Sequence, residues 1–169
     1  MAAEAVKPIQ AAVARPGSLR VPGLAAWTAA GLSLAAAWVH FAYTASHWRN
    51  WWAYGLFFLG MGIFQAICVP AIVRWPRNTW VALATIAGNL GIVGMYFYSR
   101  VIHIPLGPHT GVVEKAEPID LATTAAEIVI VGIMLSIVGP RSRRTIVNLL
   151  FLAGVTLWVL RFATRVLWW

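Results

Sequence analysis

Residues 24–45, LAAWTAAGLSLAAAWVHFAYTA, run for about six helical turns without a lysine, arginine, aspartate or glutamate, and 52–73, WAYGLFFLGMGIFQAICVPAIV, do the same. A helix that is apolar on every side has no face to offer water, and about 20 such residues span the roughly 30 Å hydrocarbon core of a bilayer. Three further runs, over 79–101, 120–138 and 145–169, are apolar for most of their length with one or two charged residues each. Turn chemistry separates them: Arg74-Trp75-Pro76-Arg77-Asn78, then Pro105, Gly107, Pro108 and Gly111, then Gly139-Pro140-Arg141. The chain reads as an all-α integral membrane protein, a five-transmembrane-helix bundle over 23–169 behind a flexible basic tail at 1–22.

Orientation follows from the cations, because Lys and Arg concentrate on the cytoplasmic side. Lys7, Arg15, Arg20, Arg74, Arg77, Arg141, Arg143 and Arg144 fall on one side, against Arg49, Arg100 and Lys115 in the opposite loops and Arg161 and Arg165 inside the last run. This predicts a cytoplasmic amino terminus, an outside carboxy terminus, an outer loop at 102–119, and a multi-pass protein of a bacterial inner membrane. The net charge of +8 is then an orientation signal, and no nucleic-acid partner is expected. Trp48, Trp51, Trp52, Trp168 and Trp169 mark the outer boundary and Trp75 and Trp80 the inner one. The first run is longer than a signal-peptide core and no small-residue cleavage site follows it, so it is expected to be retained. Cys68 stands alone, which excludes a dithiol mechanism within the chain.

Titratable groups gather on the outer side. His40, Glu127 and Arg161 each lie six or seven residues inside the outer end of their runs, roughly 10 Å deep. The short turn before the fifth run predicts antiparallel fourth and fifth helices, which would make Arg161 the ion-pair partner of Glu127. Ser33, Ala37, His40, Thr44 and His47 share one helical face, and Asp120, Thr123 or Thr124, and Glu127 form a second polar stripe. If the two faces meet they line one pocket, with His103, His109, Glu114 and Glu117 available from the loop above. Arg100, Lys115 and Arg161 can offset most of these acids.

His40, His47 and Glu127 form the candidate metal set, with His103 and His109 as weaker additions. Imidazole suits copper, zinc and iron, and copper is the ion favoured here. Haem fits less well, since a bis-imidazole site needs two histidines on different helices at matched depth and only His40 lies well inside a helix. Gln65 and Asn89, at comparable depth in the second and third runs, are expected to hydrogen-bond across the helix pair. A proton path is poorly supported, because nothing ionisable continues inward from His40 and Glu127 through Gln65, Asn89 and Asn148. Gly88, Gly91 and Gly94, with Gly55, Gly60 and Gly62, are expected to let helix backbones approach.

Five spans, this length and ten tryptophans resemble the tryptophan-rich sensory protein (translocator protein) family, whose members bind porphyrins and sterols. That likeness is architectural and carries over no residue, since the family's P-P-x-W-x-F pattern is absent. Ser99-Arg100, Pro105-x-Gly107-Pro108, Gly111, Glu114 or Glu117, Asp120 and Glu127, together with His47-Trp48, Tyr54-Gly55-x-Phe57-Phe58 and Gln65, resemble a pattern of small multi-pass bacterial membrane proteins. That resemblance implies the topology and a functional outer loop, and supplies no reaction.

Three expectations result. The first is a non-enzymatic accessory or structural subunit of a larger membrane assembly, partnered by the lipid bilayer and by other membrane subunits or itself. The second is an outward-facing site for copper or a small ligand. The third, an enzyme using the same pocket, ranks last because no nucleophile–base pair or phosphate-binding loop is present.

Overall fold

The computed structural model describes residues 23–101 and 106–166, apart from the side chains of 157 and 160–166. Helices account for the regular structure: α1 (Leu24–Asn50), α2 (Trp52–Arg74), α3 (Thr79–Val101), α4 (Pro118–Ile137) and α5 (Pro140–Val166). The first four are long and apolar enough to cross a membrane. The expected fifth span reaches residues 167–169, outside those described.

Helix ends depart from the apolar runs where caps decide them. α1 continues to Asn50 because no breaker precedes Trp51, whose extended backbone ends the helix. α4 opens at Pro118, with Glu117 as N-cap and a reciprocal capping box to Asp120. α5 opens at Pro140, five residues before the expected start, since proline suits a first helical turn.

α1 to α4 form a four-helix body in which α1 lies against α2 and α4, while α3 lies on α4 and more lightly on α2. The buried face of α1 is Ala26, Ala29, Ala30, Ser33, Ala36, Ala37 and His40, a seam with a seven-residue repeat of small side chains. Small side chains along such a seam let neighbouring helices come into close van der Waals contact. Ile72, Ile86, Ile130, Met134 and Ile146 fill the core at the end opposite the outer loop.

Ring side chains sit over several of the helix glycines. On antiparallel α1 and α2, Phe41 fits over Gly62 and Trp48 over Gly55, where an added Cβ would lie 2.6 and 2.5 Å from ring carbons. Phe64 covers Gly88 in the same way, whereas Gly60, Gly91 and Gly94 face open space. The expected close backbone approach is met at Gly55, where an added Cβ would lie 2.8 Å from the Trp48 Cα, while Gly62 and Gly88 are aromatic notches.

α5 does not run beside α4. It meets the body through α3, near its own start, where Thr79 and Ser142 share a hydroxyl hydrogen bond of 2.7 Å. Arg143 fixes this departure by donating from Nε and Nη2 to the Leu135 and Ser136 carbonyls at 2.9 and 3.3 Å, capping the end of α4. The short 138–139 connection therefore turns the chain away instead of folding it back.

Candidate functional site

Polar groups form three tiers inside the four-helix body. The outermost belongs to Arg100 at the end of α3, which donates from Nη1 to Glu114 and from Nη2 to Asp120, each at 2.6 Å. Its guanidinium also lies 4.5 Å from the centroid of the Tyr96 ring. Glu114 N–H donates to the Ser99 carbonyl, so the loop folds back onto the end of α3. On the other flank Tyr54 donates to the Leu106 carbonyl at 2.6 Å, and Gly107, with φ +91°, lets the chain turn tightly over Trp51. The loop is thus held to α2, α3 and α4 together.

The middle tier is one pair. His40 Nε2 lies 3.1 Å from Glu127 Oε1, joining α1 to α4, with the residues 6% and 1% exposed. An isolated carboxylate in this interior costs several kcal/mol, and a hydrogen-bonded imidazole partner offsets part of that cost whichever of the two carries the proton. His40 Nδ1 is buried and has no hydrogen-bond partner among the described residues. With a neutral imidazole, Nδ1 presents a lone pair if Nε2–H donates to Glu127 and carries the hydrogen if Glu127 is the donor; in the imidazolium both ring nitrogens carry one.

The deepest tier is neutral. Ser33 donates to both the carbonyl and the Oε1 of Gln65, at 2.9 and 2.6 Å, and Gln65 Nε2 donates to Asn89 Oδ1 at 2.9 Å. Asn89 Nδ2 donates to the Thr85 carbonyl, and the Thr85 hydroxyl to Cys68 Sγ at 3.8 Å. Gln65 and Asn89 are fully buried, so this network ties α1, α2 and α3 at one level.

The structure brings together His40 and Glu127 and sets His47 and His109 apart from them. His47 leaves the buried seam: its Nδ1–H donates to the Tyr43 carbonyl at 2.9 Å and its ring stacks on Phe58 at 3.7 Å. Phe58 also meets the His40 ring edge-on at 5.8 Å, so one aromatic side chain contacts both imidazoles. His109 is exposed on the loop and stacks on Tyr54. His103 lies outside the described residues, as does the Arg161 side chain. Among the described residues no group of three or more His, Cys, Asp or Glu side chains converges as a metal cage.

Two surface depressions, of about 320 and 330 Å³, are lined by Gly94, Phe97, Tyr98 and Val101 and by the start of α5, so neither is lined by His40 or Glu127. Sequence reading missed the Ser33–Gln65 bonds and the Phe58 contacts. The signal for the first was present, since Ser33 is the polar residue midway along an alanine seam.

No protein-family model, curated protein or solved structure matches the chain.

Proposed function

We propose that this is a multi-pass integral membrane protein of a bacterial inner membrane, with its amino terminus cytoplasmic and its carboxy terminus outside. It serves as a non-enzymatic accessory or structural subunit of a larger membrane assembly. The observation that carries this reading is α5. It extends over 27 residues, buries Ile146 near its start, and leaves Phe151, Leu152 and Val155 exposed beyond the body formed by α1–α4. A helix that leaves its own bundle suits contact with another membrane chain, while the closed core behind it acts as a rigid mount. His40 and Glu127 then serve as an internal strut between α1 and α4.

Alkaline washing of membranes followed by sizing in mild detergent tests this. The protein is expected to stay with the membrane and to run within a larger complex. Release by the wash, or a lone monomer with no cross-linked partner in native membranes, contradicts it.

A second reading has its own support in the unpartnered Nδ1 of His40. A carboxylate that orients one ring nitrogen while the other stays free is the arrangement seen behind metal-ligating histidines. Copper or a small hydrogen-bonding ligand reaching that nitrogen from the outer side would use Glu127 as the orienting group. Elemental analysis of the purified protein, with His40→Ala and His47→Ala as controls, decides it: no bound metal under replete conditions, or the same metal content in both variants, removes the copper version.

A further inference from the structure

The end of the bundle opposite the outer loop carries positive charge that no described acidic side chain pairs with. Arg74 and Arg77 flank the turn between α2 and α3, Arg141 and Arg144 open α5, and all four are exposed. The Thr79–Ser142 hydroxyl bond, 2.7 Å long, joins the first residue of α3 to the first turn of α5, so the two arginine pairs occupy the same end. Arg143, between them in sequence, is already committed to the carbonyls that end α4. None of the other four makes an ion pair among the described residues. The cause is compositional: the chain's five acids are Glu4, Glu114, Glu117, Asp120 and Glu127, and the last four belong to the outer loop and the outer half of α4.

Beside these arginines lies the depression of about 330 Å³, lined by Pro140, Arg141, Arg144, Thr145 and Asn148. Further along α5 the exposed side chains become apolar, with Val147 one turn beyond Arg144 and Leu149 one turn beyond Thr145. Two guanidiniums with an amide and a hydroxyl, bordering an apolar strip, match a ligand that is anionic at one end and greasy at the other.

We propose that Arg141 and Arg144 hold the phosphate of an anionic phospholipid, whose acyl chains lie against Val147 and Leu149, short of the 151–155 stretch assigned above to a partner chain. Guanidinium forks pair with phosphate oxygens in a planar, two-point fashion, and basic pockets between membrane helices take such headgroups. Free phosphate would satisfy the same guanidiniums but leave the strip uncovered. The inference rests on the membrane reading above.

The test uses the full chain in nanodiscs of equal phosphatidylcholine and phosphatidylglycerol, transferred to mild detergent, with retained lipid counted by native mass spectrometry. The wild type and Arg49→Gln, an exposed arginine at the opposite end, are expected to retain phosphatidylglycerol preferentially. The Arg141→Gln/Arg144→Gln variant is expected to lose roughly 10- to 30-fold of that preference, at about fivefold per arginine. The Arg141→Lys/Arg144→Lys variant keeps the charge and is expected to recover most of it. Equal retention by the wild type and the double Gln variant overturns the proposal while leaving the membrane reading intact. Failure of the wild type to enter nanodiscs overturns both, and displacement of the lipid by excess inorganic phosphate overturns the assignment to lipid.

Discussion

His40 and Glu127 stand 87 residues apart in the chain and 3.1 Å apart in the fold, and each is the buried polar partner that the other's helix needs. Among the described residues their bond is the side-chain hydrogen bond that ties α1 to α4. Removing one partner leaves the other stranded in an apolar interior. Glu127→Ala is expected to destabilise the protein by about 3–5 kcal/mol, and Glu127→Gln, which can still bond the ring, by about 1 kcal/mol. Thermal unfolding in detergent reads this out. The His40→Ala/Glu127→Ala double variant should cost less than the sum of the single ones, and strict additivity would show that the two residues act independently.

The aromatic notches give a graded packing prediction. At Gly55 an added Cβ would lie 2.8 Å from the Trp48 backbone as well as against its ring, whereas at Gly62 it meets only the Phe41 ring, which can swing. Gly55→Ala should therefore be the more destabilising, by about 1–3 kcal/mol. Gly60→Ala, facing open space, should be neutral or slightly stabilising in a helix. Equal effects at all three positions would mean that these contacts do not set the distance between α1 and α2.

The spans of α1 to α4 were legible in the sequence because uninterrupted apolar runs and Pro- or Gly-marked breaks leave few alternatives. Depth counting placed both His40 and Arg161 level with Glu127, but depth is one coordinate, and proximity is decided by which helices touch. The short connection after α4 argued for an antiparallel neighbour, yet Arg143 caps the α4 carbonyls and Pro140 restarts the helix in a new direction. His47 shares a helical face with His40 by spacing, but is only partly buried and stacks on Phe58 of α2 instead. Gln65 and Asn89 were legible because two buried amides at one depth have few other ways to satisfy their hydrogen bonds.

Arg100 holds the outer loop through two carboxylates at its rim, so its loss should loosen the loop more than the bundle. Arg100→Gln is expected to lower global stability by only about 1 kcal/mol while exposing residues 111–117 to local opening. Trypsin cleavage after the exposed Lys115 should accelerate severalfold in that variant. An unchanged cleavage rate would show that the Tyr54–Leu106 anchor holds the loop unaided.

The neutral tier should respond to shape as well as polarity. Gln65→Ala removes the group that bridges Ser33 and Asn89 and is expected to cost about 1–3 kcal/mol. Asn89→Asp places a charge beside an amide with no cation near it in the described structure, and should be worse. If Gln65→Ala unfolds at the wild-type temperature, water replaces the amide and this level of the bundle is wet.

The most direct test of an accessory role is a photo-activatable amino acid placed at Phe151 or Val155 on α5, with ultraviolet cross-linking in intact native membranes. A discrete adduct with another membrane polypeptide, or with a second copy of the chain, is the predicted result, absent when the same probe sits at Lys115 on the outer loop. Monomer carrying only lipid adducts from both α5 positions would contradict the account.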